Sequence, residues 1–446
     1  MTPASPAQSD AEIWRGPEIW GGIECSVVRI GNEWRDQVHE TGHHVRNDDL
    51  DRIVGLGIRT VRYPVVWERV APHTPGVHDW QWHDERLERL RALGAQPIVG
   101  LLHHGSGPGY TSLLDPDFPT KLAAYAGAVA ARYPWVNAWT PVNEPLTTAR
   151  FSGLYGHWFP HQRDLATFCR MVVNQCLGVV LAMQAIRRVI PGAQLIQTED
   201  LGRVFATSRL MYQADHENLR RWLSLDLLCG ELGPSHPFWP MLLSFDIPEQ
   251  SLARLYRNDH PPDIIGINHY LTSDRYLDDD LGRYPAGFAG GNGRDRYADV
   301  EAVRIVPPPG PLGAEARLRE AWQRYRRPLA VTEVHHGAAE LIECVRWLGE
   351  IWHAAERLHA KEVDIRAVTI WSLFGAVDWR SLLRQRDGAY EPGPFDIRYD
   401  PPRPTALAEA VRSLLRTRRI ADPSAYRPGW WRRPERAYAL PSHAES

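Results

Sequence analysis

The sequence predicts one α/β domain, a single (β/α)8 barrel. Short apolar, β-prone runs alternate with helical stretches along most of the chain, which is the pattern of repeated βα units. About eight units fit within the 446 residues, as expected of a barrel with insertions. Polar and aromatic residues follow most of the predicted strands, where the functional sites of such barrels lie. The barrel is expected to span residues 17–418, between a flexible N-terminal segment (1–16) and a basic, aromatic C-terminal tail (419–446).

The strands are predicted from runs of β-branched and other apolar residues that turn-forming residues bound. The eight runs are residues 19–28, 58–63, 96–102, 136–141, 193–198, 263–268, 329–332 and 366–371. Helices are predicted between and after them at residues 47–56, 83–92, 117–132, 165–189, 219–228, 249–256, 315–324, 339–359 and 405–417. Asn47 is the predicted N-cap of the first helix.

Two segments lie outside this alternation. Residues 275–313 contain a Gly-Gly-Asn-Gly cluster and a Pro-rich run, and a loop of this length is usually functional or disordered. We expect it to form a partly mobile wall over the barrel mouth. The tail contains two tryptophans followed by two arginines at 430–433. We expect an exposed or loosely packed tail, with packing across the barrel or against a partner as the alternative.

Composition excludes several classes of protein. A net charge of −3 gives no broad attraction to nucleic acid or to a membrane surface. No apolar run is expected to reach the roughly 20 residues of a membrane span, and the first ten residues lack a signal-peptide pattern. Five scattered cysteines without a CxxC pair argue against a disulfide framework and a structural zinc site. A cytoplasmic protein without a cofactor is therefore predicted, and the sequence leaves its oligomeric state open.

Two carboxylates follow predicted strands and carry the functional hypothesis. Glu144 comes after the fourth strand and Glu333 directly follows the seventh. Glycoside hydrolysis uses two such groups, one to protonate the leaving oxygen and one to attack or stabilise the sugar centre. The neighbouring strand ends add further polar and aromatic residues: Arg62, His103, His104, Asn143, Asn268, Tyr270, Trp371, Asp378 and Trp379. Eighteen tryptophans are unusual. Since indole faces stack on the apolar faces of sugars, Trp371 and Trp379 are assigned to the site and most others to the core.

At these residues the chain resembles glycoside hydrolase family 1, a family of retaining β-glycosidases with a (β/α)8 barrel. The resemblance covers about residues 17–418, and its most specific part is the Asn143-Glu144-Pro145 segment. The other matching segments are Val61-Arg62-Tyr63-Pro64, Leu101-Leu102-His103-His104, Gly266-Ile267-Asn268-His269-Tyr270, Val331-Thr332-Glu333 and Trp371-Ser372-Leu373-Phe374. The order and spacing of these segments support the assignment more than any one of them alone.

The resemblance implies roles for individual residues. Glu144 would be the general acid/base, with a pKa raised by burial or a nearby anion, and Glu333 would be the nucleophile. Arg62 is a suitable counter-charge for Glu333, and Tyr270 could orient it by a hydrogen bond. Asn143 would bind the sugar 2-hydroxyl. The remaining expected substrate-binding residues are His103, Asn268, Trp371, Asp378 and Trp379.

Departures from the family pattern fall on the residues that would recognise the glycone. The first strand lacks the usual Gln, for which Glu24 or Arg29 would substitute. Asp378 stands where a longer Glu is usual, and it precedes Trp379. Arg29 and Arg380 would suit a phosphorylated or acidic sugar. Two further departures are Val334-His335-His336-Gly337 after the nucleophile, whose histidines we assign to the outer site, and the acids Glu199 and Asp200 at the end of strand five.

The predicted function is hydrolysis of a small-molecule or oligosaccharide β-glycoside by a retaining, β-glucosidase-like mechanism. A non-catalytic sugar-binding protein and a transglycosylase with the same two carboxylates remain alternatives. A metal-dependent barrel hydrolase is a third, since histidine pairs occur at 43–44, 103–104 and 335–336. It is disfavoured because no His-x-His lies on the first strand and no His-Glu-x-x-His is present. The sugar and the aglycone are left open.

Overall fold

A computed structural model describes residues 16–337 and 340–438 of the protein. The predicted flexible segment, apart from Gly16, and residues 439–446 of the predicted tail lie outside the described residues. So does residue 339, where one helix was predicted to begin.

Eight parallel strands close into a barrel in chain order, which confirms the predicted fold class. They are β1 Glu18–Gly22, β2 Thr60–Pro64, β3 Gln96–Gly100, β4 Ala138–Thr140, β5 Gln194–Asp200, β6 Ile264–Asn268, β7 Leu329–Val334 and β8 Ile365–Ile370. Closure is made by β1, which pairs with β8 through Trp20 and Thr369 and with β2 through Gly21 and Val61. All eight strands therefore direct their C-terminal ends to one mouth.

The first strand is shorter than predicted. It ends at Gly22, and Val27–Ile30 instead forms an antiparallel hairpin with Glu33–Asp36. A Cβ at Gly22 would lie only 2.4 Å from the Trp371 ring, so only glycine allows this close approach of β1 to the end of β8. The chain then leaves the barrel, and Glu24 lies in the connection at the mouth.

Apolar side chains from around the barrel pack into one small cluster. Trp20, Ile98, Ile196, Ala330 and Ala367 come from five different strands, and all are at most 8% exposed. Side chains on alternate strand positions point inward, so this cluster fills the barrel interior. A larger core lies between the strands and the surrounding helices.

Helices cover the outside of the barrel, and short ones lie near its rim. The longer helices are Asp49–Leu56, Gln81–Ala92, Phe118–Arg132, Leu165–Val189, Met211–Arg220, Leu223–Cys229, Phe238–Ser244, Glu249–Tyr256, Ala314–Tyr325, Leu341–His359 and Ala406–Thr417. The short α-helices are Gln37–Glu40, Trp67–Val70 and Pro145–Ala149. Two predictions were wrong in detail. The helix at 219–228 is interrupted, because separate helices end at Arg220 and begin at Leu223, and the first helix is preceded by Asp48 rather than capped by Asn47.

The long helix Leu165–Val189 packs against Phe118–Arg132. By length and composition this helix could span a membrane, contrary to the expectation that no apolar run would be long enough. In this fold, 67% of its apolar window is buried inside the protein. It is the one helix in the described residues that meets this test.

The two segments outside the βα alternation are both more ordered than predicted. Segment 275–313 contains Arg275–Asp278, Ala289–Gly291 and Arg296–Glu301, which join Val204–Ala206 in a four-stranded sheet. The tail packs along helix Leu341–His359, with the Trp431 indole donating to Glu350 (2.8 Å) and the Arg433 guanidinium to Glu343 (2.6 Å). The expectation of a loosely packed tail was therefore wrong for the described part of it. Acidic residues on the helix hold the basic tail in place.

Candidate active site

A cavity of about 450 Å³ opens at the C-terminal ends of the barrel strands. Its wall contains Glu144 and Glu333 together with Tyr270, Trp371 and Trp379. The structure thus brings both predicted catalytic carboxylates and three predicted substrate-binding residues to one cavity. No residue of segment 275–313 is part of this wall, so within the described chain the predicted wall over the mouth is not there.

Glu333 is held at the end of β7 by two donors. The Arg62 guanidinium donates to Oε1 at 2.9 Å, and the Tyr270 hydroxyl donates to Oε2. The carboxylate is only 2% exposed, so these contacts fix its orientation inside the cavity. An oriented carboxylate beside a guanidinium is suited to attack a carbon centre on the substrate.

Arg62 connects Glu333 to the neighbouring strand ends. It also donates to the Thr332 carbonyl (2.7 Å) and to Asn143 Oδ1 (2.6 Å). Asn143 Oδ1 accepts a second hydrogen bond from the Thr198 hydroxyl at 2.8 Å. With its oxygen fixed, the Asn143 amide nitrogen is turned toward His103 Nε2 (3.3 Å). Such a connected network holds each member more rigidly than a single bond would.

Glu144 has a backbone conformation that few non-glycine residues adopt. Its φ is +46°, and it immediately precedes the helix Pro145–Ala149. Pro145 suits the first helical position, and the left-handed Glu144 turns the chain from β4 into that helix. A non-glycine residue in this region costs of order 1–3 kcal/mol and is typical of functional sites. The turn carries the Glu144 carboxyl into the cavity.

Burial and charge disfavour the ionised form of the Glu144 carboxyl. Its burial, reinforced by the charge of Glu333, raises the pKa of Glu144 well above its usual range. Asn268 donates to its Oε1, and Asn268 is itself fixed by the Thr332 hydroxyl at 2.6 Å. His104 Nε2 lies 3.8 Å from its other oxygen, and burial lowers the His104 pKa to about 3. A neutral imidazole there adds no positive charge that would favour the ionised carboxylate.

Trp371 forms the base of the cavity. Its ring is stacked on His103 with centroids 5.3 Å apart, and the Arg62 guanidinium lies 4.6 Å from the ring centroid. A second, very small void of about 10 Å³ lies behind it, and it is lined by Arg62, His103, Asn143 and Trp371 among others. His103 and Asn143 therefore lie beside Trp371 of the large cavity, although neither residue is part of the wall of that cavity.

Asp378 is not among the residues that line the cavity, and its part in substrate binding stays a prediction. Arg35 donates to its Oδ2 at 2.9 Å and the Ala389 amide donates to its Oδ1 at 2.8 Å. The side chain is buried, and among the described residues it is not part of the cavity wall. The Asp378 side chain is one carbon shorter than that of Glu, and its carboxyl accepts hydrogen bonds from Arg35 and from the loop after β8.

Of the two residues considered as substitutes for the first-strand Gln, Glu24 is the one placed at the cavity. It lines the cavity, whereas Arg29 lies 4.1 Å from the Phe159 ring and is not part of the wall. Burial, opposed by hydrogen bonds from Ser26 and reinforced by the charge of Glu333, raises the Glu24 pKa to about 7. Glu24 and Arg29 could not be told apart from the sequence, because the inward and outward alternation of side chains cannot be followed beyond the end of the strand.

A histidine–carboxylate pair lies on the outer wall. His335 Nε2 is 2.7 Å from Glu391. Burial alone would lower the pKa of His335, but the hydrogen bond and charge of Glu391 raise it above its ordinary value. Beside this pair, the Trp430 indole donates to His336 Nε2 at 3.1 Å, and both residues line the cavity. Glu391 and Trp430 were missed as site residues, since both lie far along the chain from the strand ends.

The two acids at the end of β5 have different contacts. Glu199 accepts from the amides of Leu146 (2.9 Å) and Thr147 (3.2 Å), so it holds the start of the helix that follows Glu144. Asp200 lines the cavity and pairs with Arg150 at 3.2 Å. Among the residues described here, no group of three or more His, Cys, Asp or Glu is placed to hold a metal ion.

Comparison with known proteins finds relatives that are glycosidases by name and share low sequence identity with the chain. No family model matches the chain. Beta-glucosidase 47 of Arabidopsis thaliana is 24% identical over 384 residues, covering 78% of this chain and 71% of that protein. A phospho-cellobiase of Klebsiella oxytoca is 21% identical over 68% of this chain and 67% of its own length. An aryl-phospho-beta-D-glucosidase of Bacillus subtilis is 18% identical over 84% and 86%.

Solved structures share the fold. A family 1 β-glucosidase from Thermotoga maritima superimposes with a TM-score of 0.73 at 15% identity, covering 90% of this chain and 97% of that one. The same organism's β-glucosidase in complex with deoxynojirimycin gives a TM-score of 0.69, covering 84% and 87%. Low identity spread over most of the length is what a distant relative shows, and the chain is similar in sequence and fold to β-glucosidases, among them one of glycoside hydrolase family 1.

Proposed function

We propose that the protein is a retaining β-glycosidase, in which Glu144 is the general acid/base and Glu333 the nucleophile. The observation that supports this most is the contrast between the two carboxyls. Glu144 is buried with a strongly raised pKa, whereas Glu333 accepts hydrogen bonds from Arg62 and Tyr270. Two carboxyls in one cavity with opposed environments are suited to acid and nucleophile roles.

In the first step, a Glu333 oxygen attacks the anomeric carbon while Glu144 gives its proton to the glycosidic oxygen. The bond between that carbon and oxygen breaks, and the aglycone leaves as an alcohol. Arg62 and Tyr270 keep the attacking carboxylate aligned. Because Glu144 is protonated before reaction, the leaving group does not have to depart as an alkoxide.

In the second step, the now ionised Glu144 takes a proton from water. The resulting oxygen attacks the anomeric carbon, and the ester bond to Glu333 breaks to release the sugar and the free carboxylate. Configuration at the anomeric carbon is retained because two inversions occur. An alcohol in place of water would give transglycosylation by the same residues.

The cavity volume suits a small-molecule or short oligosaccharide β-glycoside. A β-glucosidase-like glycone is proposed from the relatives' names. Two of those relatives are phospho-glycosidases by name, but Arg380, the one arginine lining the cavity in the described residues, is 66% exposed on its rim. A cytoplasmic location is proposed, and free thiols at Cys25, Cys169, Cys176 and Cys229 support a reducing compartment.

The test is release of aryl alcohol from a panel of aryl β-glycosides, including glucoside, galactoside, mannoside, xyloside, glucuronide and 6-phosphoglucoside. Wild type and Glu333→Gln are compared, and the first sugar product is identified by NMR. We expect turnover by wild type, its loss in the variant, and initial release of the β-anomer. Initial release of the α-anomer would refute retention. Sugar binding without turnover would instead favour a binding protein.

A further inference from the structure

Glu24 differs from the other carboxyls of the cavity in its surroundings. It lies in the connection after β1, lines the cavity and is 3% exposed. Its backbone amide donates to the Ser372 hydroxyl oxygen at 2.9 Å, which fixes the main chain beside the end of β8. The carboxyl is therefore placed by the fold against the substrate space.

All recorded contacts of the Glu24 carboxyl are with donors. Oε1 accepts from the Ser26 amide (2.9 Å) and the Ser26 hydroxyl (2.6 Å), and Oε2 accepts from the Trp371 indole at 3.2 Å. Each carboxylate oxygen has about two acceptor sites, so Oε2 retains capacity for one more donor. The arrangement leaves an acceptor position open on Oε2 of a carboxyl that lines the cavity.

The other carboxyls of the cavity have their charge balanced or removed. Glu333 pairs with Arg62 at 2.9 Å, Asp200 with Arg150 at 3.2 Å, and Glu391 with His335 at 2.7 Å. Glu144 carries the proton that it gives to the leaving group in the proposed function. Within residues 16–337 and 340–438, no basic side chain lies within 4.0 Å of Glu24, since none of the recorded ion pairs includes it.

We propose that the glycone carries a protonated amine and that Glu24 recognises it by a charge-assisted hydrogen bond. This inference rests on the proposed function and names the substrate class for the same site. A buried carboxylate without a counter-charge is costly, and an ammonium group supplies both the missing charge and the missing donor. A neutral hydroxyl supplies only the donor, and hydrogen bonds with two ionised partners are stronger.

The experiment compares aryl β-glucoside with the four aryl β-glycosides in which one hydroxyl, at carbon 2, 3, 4 or 6, is replaced by an amine. Assays at about pH 7.5 lie above the Glu24 pKa of about 7 and still leave much of the amine protonated. We expect kcat/KM for one amine isomer to exceed that of the parent glucoside by at least about tenfold. We further expect Glu24→Gln to reduce this ratio about tenfold, since glutamine keeps the shape and loses the charge.

Glu391→Gln is the matched control, because it removes a cavity carboxylate that already has a basic partner. We expect it to leave the ratio of amine to parent glycoside within about threefold of wild type. If the parent glucoside is preferred over every amine isomer, the inference is wrong while the proposed function stands. The wild-type comparison alone decides this, even if a variant fails to fold.

Two other outcomes also decide the inference. An amine preference that survives in Glu24→Gln would overturn the role of Glu24. No turnover of any glycoside, the parent included, would overturn the proposed function and this inference with it.

Discussion

The catalytic centre and the outer cavity are built from different parts of the chain. The centre consists of side chains at strand ends, where Arg62, Asn143 and Glu333 are linked by hydrogen bonds of 2.6–2.9 Å. The outer wall comes from a loop pair, His335 with Glu391, and from Trp430 of the tail. Strand ends are fixed by the barrel, whereas loops and the tail can change without disturbing it. The difference teaches that the positions of the two proposed catalytic carboxylates depend on the barrel itself, whereas the outer wall depends on segments outside it.

The largest effect is expected from Glu333→Gln, at the heart of the centre. The variant keeps the size of the side chain but cannot form the glycosyl ester, so kcat should fall on the order of 10⁴-fold or more. The measurement is the steady-state rate with an aryl glycoside that wild type hydrolyses. Circular dichroism checks that the barrel is intact. Turnover near the wild-type rate would mean that the nucleophile lies elsewhere.

Glu144→Gln should cost about 10²–10⁴-fold for a glycoside with a poor leaving group. The loss should be smaller for a dinitrophenyl glycoside, which needs little protonation to leave. The raised pKa of Glu144 predicts that wild-type kcat/KM falls as pH rises through that pKa, because the acid form is lost. This alkaline limb should disappear in the variant. An unchanged limb would assign the acid to another group.

The residues at the strand ends could be predicted from the sequence, whereas those of the outer wall could not. The barrel and the placement of Glu144 and Glu333 could be predicted, because alternation locates strand ends and parallel strands bring their ends together. Glu391 could not be predicted, since it reaches the wall through a two-residue strand, Tyr390–Glu391, paired with Ala376–Val377. Long-range loop pairing of this kind leaves no periodic signal in the sequence.

Trp430 shows the same limit for the tail. A basic, aromatic stretch predicts an exposed segment by composition alone. The packing depends on acidic partners, such as Glu343, which accepts from the Trp430 amide at 3.1 Å. Nothing in the local sequence of the tail specifies those partners, which lie on a helix about 80 residues earlier in the chain.

Trp430→Ala tests whether the outer cavity acts on the aglycone. The indole is held by His336 and by the Arg304 guanidinium, which lies 4.6 Å from the ring centroid. Loss of an aromatic platform should raise KM about threefold to tenfold for an aryl glycoside or oligosaccharide. KM for a glycosyl fluoride should change little, since fluoride makes no such contact. Trp430→Phe is the control, and it should keep most of the affinity. An equal rise for fluoride would place Trp430 against the glycone.

The smallest effect on activity is expected from Asp378→Asn, which tests whether Asp378 takes part in substrate binding. Asp378 and Arg35 are each 3% exposed as side chains and lie 2.9 Å apart, so breaking their pair should lower the free energy of unfolding by about 3 kcal/mol. Glu40 contacts the same Arg35 but is 16% exposed, so Glu40→Gln should cost less. Urea denaturation measures both. The order of glycones by kcat/KM should stay as in wild type, because the Asp378 carboxyl is bonded to Arg35 and to the Ala389 amide. A changed ranking would make Asp378 a substrate-binding residue and would weaken the division between a centre built on strand ends and an outer wall built on loops and the tail.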